Sequence, residues 1–370
     1  MFADLSTLRR RRSRKWTQHP SDVLPAFIAE MDVELAPPIT EALLQAVHLG
    51  DAGYSDEGGL FEAFAAFAQR RLGWTPDTER MVLAPDVMTA VVEVLRILTE
   101  PGAGVVITPP IYPPFFGGVA EAGRTVVEVP LVDGGLDLDG LERAFVGGAA
   151  AFLLCNPHNP TGAVPSHDVL AAVAELAERY GVLVLSDEIH APLTLPGRQH
   201  TPFARLGDTR SVVFASASKA FNIPGLKCAI AVAGSAEQAA LLEQLPVELR
   251  YRTGLLGVIA SQAAFEHGDA WLDELVAALD TNGATLSALL AEHLPGVRFD
   301  RPDAGYLAWL DCRELGLGDD PAEVFLERGR VALVAGPAFG TPGRGHARLN
   351  IGTSEELITE AVVRMAKAVG

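Results

Sequence analysis

Residues 182–219 run VLVLSDEIHAPLTLPGRQHTPFARLGDTRSVVFASASK. Two apolar, β-branched-rich stretches, Val182 to Leu185 and Ser211 to Ala215, each stop at a polar cluster: Ser186-Asp187-Glu188-Ile189-His190 after the first, Ser216-Ala217-Ser218-Lys219 after the second. Short continuous apolar runs of this kind read as strands buried on both faces. Just upstream, Val169, Val173, Leu176 and Tyr180 recur at helical spacing, and Gly181 supplies a residue that ends a helix left-handed. Val105 to Ile107, Ala151 to Cys155 and Ala229 to Ala233 repeat the strand pattern, mostly with helical stretches between. That alternation predicts an α/β sheet. Only about a dozen residues, Pro224 among them, separate Ala215 from Ala229, too few for the helical crossover a parallel neighbour requires, so that last strand is predicted antiparallel.

Downstream, residues 271–294 read as one long helix. Strands near 306–310, 331–334 and 347–351, with helices near 321–328 and 354–369, suggest a smaller α+β unit. The first forty or so residues are too few to fold alone. The predicted division is a large domain over residues 45–265, with 1–44 and 266–370 together forming a small one.

The 370 residues are 49% hydrophobic with a formal charge of -18, and the mean hydropathy is +0.22. This is enough apolar material for substantial cores, while no run reaches the length a membrane span needs. The acidity argues against nucleic acid, whose binding rests on clustered positive charge. Arg9 to Arg12, Arg14 and Lys15 are the local exception, and they read as a basic surface helix or tail packed on its own acidic protein. No apolar stretch follows them as in a signal peptide, so the chain is expected in the cytoplasm. Cys155, Cys228 and Cys312 are widely spaced within apolar runs, which fits reduced core thiols rather than disulfides or a metal knot.

The polar segments that follow the strands carry the chemistry. They are Pro110-Ile111-Tyr112-Pro113-Pro114, Asn156 to Gly162, Ser186 to His190 and Ser216 to Lys219. Open α/β sheets bind ligands along the carboxyl edge, so these segments are expected to share one pocket. A lysine flanked there by small residues sits near low-dielectric surroundings, where its amine loses a proton readily, as Schiff-base chemistry needs.

With Ala29 to Asp32, Tyr54, Gly59-Leu60, Tyr112 to Phe115, Asn156 to Gly162, Asp187 to His190, Ser218 to Lys227 and Arg348 to Asn350, the sequence resembles the fold-type I enzymes that use pyridoxal 5'-phosphate (PLP). Among them it is most similar to carbon-sulfur lyases of the MalY/PatB cystathionine β-lyase type, over nearly the whole chain. The resemblance implies a large domain with a mostly parallel mixed sheet and helices on both faces. It implies that Lys219 holds the cofactor as a Schiff base and moves the substrate's α-proton, while Asp187 pairs with the pyridine nitrogen. Asn159 is then the partner of the ring oxygen, Tyr112 the aromatic plate on the ring, and Arg348 the grip on the substrate carboxylate. His190 stands where many aminotransferases have a tyrosine against the ring oxygen. The phosphate is expected at the helix starting near Asp86, on the N–H groups of Val87 and Met88, with Ser216, Ser218 and Lys227 close by and the Asp86 side chain turned away. Tyr54 is implied to reach the phosphate, and the substrate, from a neighbouring subunit, so the resemblance implies a homodimer with shared sites.

The outcome implied is β-elimination from an L-cysteine S-conjugate to a thiol, pyruvate and ammonia, with His158 and His190 leaning that way. The rivals are an aminotransferase and a biosynthetic enzyme acting on a larger cysteine conjugate. Ala191-Pro192 departs from the acidic-aliphatic pair usual in the lyases. No surface for a purely regulatory binding module shows in the sequence, Gly340, Gly343 and Gly345 lack nucleotide-fingerprint spacing, and a metal reading of Asp187 to His190 lacks a second cluster.

Overall fold

The computed structural model describes residues 1–370. After a two-residue strand β1 (Leu24–Pro25), the strands of the main sheet follow as β2 (Met81–Ala84), β3 (Gly104–Ile107), β4 (Thr125–Glu128), β5 (Ala151–Cys155), β6 (Leu183–Asp187), β7 (Ser211–Ala215) and β8 (Ala229–Ala233). These seven lie in the order β2-β8-β7-β6-β5-β3-β4. Strand β8 runs antiparallel to β2 and β7, and every other pairing in the sheet is parallel. The short, proline-bearing connection between β7 and β8 thus has the consequence expected of it.

Side chains on the central strands divide by alternation. Phe152, Leu154, Val184, Val213, Ile230 and Val232 enter one apolar cluster, and Leu153, Leu183, Leu185, Val212, Phe214 and Ala231 enter another on the opposite face. Burial on both faces explains the continuous apolar runs in the sequence. Two strands were absent from the sequence expectation: β2, four buried apolar residues that follow a 3-10 turn at one edge of the sheet, and β4, a partly exposed strand at the other edge bounded by Thr125 and Glu128. In β4 only Val126 and Val127 are apolar, too short a run to register, whereas Met81–Ala84 is apolar throughout and was passed over.

The helix expected over residues 271–294 spans Asp269–His293. Beyond it, β9 (Leu307–Asp311), β10 (Val331–Ala332), β11 (Val334–Ala335) and β12 (His346–Asn350) form the smaller part, with an antiparallel sheet of order β11-β12-β9. Strand β1 pairs with β10, tying the N-terminal segment to the C-terminal third.

The basic N-terminal run is not solvated throughout: Arg11 is half-buried and donates to the Val33 carbonyl at 2.6 Å, and Lys15 departs furthest. Arg9 and Arg10 are exposed, as a solvated basic surface requires, but Lys15 is 1% exposed and pairs with Asp32.

Candidate active site

The carboxyl ends of β5, β6 and β7 supply the centre. Asp187 closes β6 and continues the row of Leu183 and Leu185, so its carboxylate lies on the same sheet face as the helix Val87–Leu98. Cys155 stands opposite it in register, and the next residue, Asn156, donates its N–H to the Asp187 carbonyl at 2.9 Å. The Asp187 carboxylate is 5% exposed and accepts one hydrogen bond, from the Ile189 N–H at 3.1 Å. Burial raises it to about 6, opposed by that N–H and by the charge of Lys219. A buried carboxylate with one donor and no ion pair is a receptor for a cationic N–H.

Ser216 caps the one-turn helix Ala217–Ala220 through the Ser218 N–H, and its hydroxyl also donates to the Cys228 carbonyl at 2.6 Å. The Ser218 hydroxyl lies 2.7 Å from that of Ser216. Lys219 follows, its Nζ donating to the Ala29 carbonyl at 2.9 Å. Burial lowers this amine to about 8, with Arg348 adding to the effect and Asp187 opposing it.

Arg348, on β12, brings the small sheet to the same place. Its Nη1 donates to Asn159 Oδ1 at 2.9 Å and its Nη2 to the Phe27 carbonyl at 3.2 Å, while its plane lies over the Phe339 ring at 5.1 Å. Its buried Nε has no partner. Burial lowers even this guanidinium, to about 10. An orphan donor beside a cation is the deficit that a ligand carboxylate would fill. Asn159 is 5% exposed with its oxygen committed to Arg348, and its Nδ2 donates to no protein acceptor.

Tyr112 packs edge-on to Phe115 with ring centroids 5.8 Å apart, and burial together with the Asp187 charge pushes its hydroxyl up to about 12. His190 lies edge-on to Tyr306 at 6.1 Å, and burial with the charges of Lys219 and Arg348 drops it to about 3, so its ring is neutral. His158 is already engaged: Nδ1 meets Thr161 Oγ1 at 3.0 Å and Nε2 faces the Thr108 carbonyl at 3.4 Å. It braces the turn, and burial lowers it to about 4.

At the start of the Val87–Leu98 helix, the N–H groups of Val87 and Met88 lie in the first turn, where no helical carbonyl is available. The Asp86 side chain does not turn away. Oδ1 accepts the Thr89 N–H at 2.8 Å and Oδ2 lies 3.3 Å from Lys227 Nζ. The reason is local: a capping carboxylate satisfies an orphan N–H, and the adjacent cation compensates its charge.

Tyr54 stands apart from these groups, 87% exposed with its ring edge-on to Tyr251. Sequence reasoning gave no role to Tyr306 or to the backbone of residues 27–31. Tyr306, fully buried, donates to the same Ala29 carbonyl as Lys219, at 2.9 Å. The available signal was Ala29 to Asp32 itself, a polar motif in a segment without periodicity.

A model of the family described as aminotransferase class I and II matches residues 43–365. A Mycobacterium leprae (strain TN) protein provisionally named cystathionine beta-lyase is 47% identical over 98% of this chain and 96% of its own length. Cystathionine beta-lyase PatB of Bacillus subtilis (strain 168) is 37% identical over 94% of this chain and 93% of its own. The crystal structure of a PLP-bound C-S lyase from Staphylococcus hominis is 25% identical, with a TM-score of 0.91 over 100% of this chain and 98% of its own.

Proposed function

The chain belongs to the aminotransferase class I and II family, and from that premise we propose that it is a PLP-dependent carbon-sulfur β-lyase that releases a thiol, pyruvate and ammonia from an L-cysteine S-conjugate of the cystathionine kind. The cofactor and amino-acid part of this reading is carried by the convergence of three buried groups with unmet capacity, the depressed amine of Lys219, the Asp187 carboxylate without an ion pair and the Arg348 guanidinium with an orphan Nε, and the lyase outcome is supported by relatives named cystathionine beta-lyase that are 34% to 47% identical.

Their spare donors and acceptors fit PLP and an amino acid. Lys219 would hold the aldehyde carbon, Asp187 the protonated pyridine nitrogen and Asn159 Nδ2 the ring oxygen, with Tyr112 against the ring face and His190 nearby. The N–H groups of Val87 and Met88, with Ser216, Ser218 and Lys227, would hold the phosphate. When bound, PLP supplies an electron sink for the pair left by a broken bond at the substrate's α-carbon. Arg348 would orient the substrate carboxylate through two parallel hydrogen bonds. Lys219 Nζ would take the α-proton, and the β-carbon to sulfur bond breaks as the thiolate departs. The low-dielectric setting that lowers Lys219 keeps a neutral amine available near pH 8, as a base in this role requires.

We further assign the division into a domain over 45–265 and a second over 1–44 with 266–370, a reading supported by the β1–β10 pairing. A homodimer is supported by the exposed apolar side chains Leu44, Val47, Leu49, Val247 and Tyr251, the last edge-on to exposed Tyr54, which would meet the partner's site. Three buried, unpaired cysteines support a reducing, cytoplasmic setting.

The deciding experiment supplies cystathionine without any keto acid and assays pyruvate and free thiol. Turnover is expected; strict dependence on a keto acid would make the enzyme an aminotransferase instead.

A further inference from the structure

Between Phe27 and Met31 the chain has no strand partner, yet each of its five carbonyls is held by a side chain from another part of the molecule. Phe27 accepts from Arg348, Ile28 from Asn350 Nδ2 at 2.6 Å, and Ala29 from both Lys219 and Tyr306. Glu30 accepts from Lys15 Nζ at 2.9 Å and from Asn350 at 2.7 Å, and Met31 from Asn222 at 2.8 Å. At least two of these donors, Lys219 and Arg348, belong to the candidate active site, so this strap forms one of its walls. At its far end Lys15 Nζ lies 2.8 Å from Asp32 Oδ1, which also accepts the Trp16 Nε1–H at 3.1 Å. The side chains of this pair are 1% and 3% exposed.

A buried ion pair is poorly explained by stability alone. Both charges lose their hydration, and well-packed apolar replacements are often as stable. What the pair adds is direction: one ammonium fixes both the Glu30 carbonyl and the Asp32 carboxylate, on either side of Met31 and adjacent to Ala29.

We propose that Lys15, through Asp32 and the Glu30 carbonyl, is a positioning residue for proton transfer: it fixes the strap so that the Ala29 carbonyl, steadied by Tyr306, orients the free amine of Lys219. This rests on the reading of Lys219 as the cofactor lysine. A neutral amine has two N–H bonds and one lone pair, and committing one N–H to a fixed carbonyl restricts where the lone pair points. After one proton passes from the substrate α-carbon to Nζ, with the electron pair left to the cofactor, the same carbonyl stabilises the ammonium. An acceptor that shifts with the strap would leave the amine chemically intact but misaimed.

The test uses Lys15→Met and the double variant Lys15→Met with Asp32→Leu, which removes both charges together and keeps the experiment open if the single variant fails to fold. In cofactor-free protein, amide hydrogen exchange over residues 29–33 is expected to speed up while the thermal midpoint of the double variant stays near that of the parent. In the PLP-loaded protein, the α-proton of L-alanine, which carries no leaving group, is followed by NMR in D2O. Its exchange kcat is expected to fall about tenfold with KM within about threefold. Unchanged exchange kinetics in a folded double variant would overturn the proposal, as would a raised KM at constant kcat, which would make the strap a binding element only. Alanine exchange by a parent protein that releases no pyruvate and free thiol from cystathionine would sink the lyase reading and leave this inference standing. No exchange by a PLP-loaded parent would overturn the proposal, and a parent that gains no visible band on addition of PLP would sink the cofactor reading and this inference with it.

Discussion

The depressed amine of Lys219 has a direct kinetic consequence. Covalent attachment of an aldehyde needs the neutral amine, and burial brings Lys219 from 10.5 to about 8. At pH 7 the neutral fraction rises from about 0.03% for an ordinary lysine to about 10%, roughly a 300-fold gain in reactive amine. Below its own pKa the group is protonated and unreactive, so the rate at which cofactor-free protein gains its visible band on addition of PLP is expected to climb about tenfold per pH unit and level off near 8. The neighbours set opposite signs. Arg348 lowers the amine and Asp187 raises it. Arg348→Met is therefore expected to move the levelling point to higher pH, and Asp187→Asn to lower pH. Stopped-flow absorbance across pH 6 to 10 measures both. A parent profile still rising at the alkaline limit, or a shift of both variants in the same direction, would refute the assignment of Lys219 as a buried amine between these two charges.

Other consequences are open to measurement. Arg348→Lys keeps the charge but loses the planar fork, so substrate KM is expected to rise about tenfold to hundredfold with a smaller change in kcat, read by steady-state pyruvate formation. Gly162 holds φ +70°, and an added Cβ would press on the Pro302 side chain and sit 2.9 Å from the Ala304 carbonyl. Gly162→Ala is accordingly expected to cost about 1–3 kcal/mol in denaturant unfolding and to loosen the turn that seats Asn159. Mixing inactive Tyr54→Ala and Lys219→Ala homodimers under subunit exchange is expected to restore about a quarter of parental activity, because half the dimers then carry one intact composite site. A mixture that stays at the parental variants' level would remove Tyr54 from the partner's site.

What the sequence displayed and what it hid follow from one physical distinction. Strands β5 to β8 were legible because burial on both faces leaves an uninterrupted apolar run, and the chemistry at their ends was legible because polar residues there interrupt it. Strand β4 was not, since an exposed edge leaves no such contrast, while the buried run Met81–Ala84 of β2 carried the signal and was passed over. The same distinction divides the site. Lys219, Asp187, Asn159 and Arg348 act through side chains whose type announces their chemistry. Residues 27–31 meet the site residues through main-chain carbonyls, which every amino acid possesses and no composition reveals.

Lys15 shows how such a contribution becomes visible only in three dimensions. Within Arg9 to Lys15 it reads as one more surface cation, and for exposed Arg9 and Arg10 that reading holds. What separates Lys15 is a partner seventeen residues away: Asp32 gives it a compensating charge and the Glu30 carbonyl a second acceptor, which together make burial of an ammonium tolerable. Both partners sit in the polar motif Ala29 to Asp32, so the basic run and that motif, unrelated in sequence pattern, are two halves of one structure. A segment with neither helical nor strand period can still be held in one path when each of its carbonyls has a fixed donor, and a wall of the candidate site is built in that way.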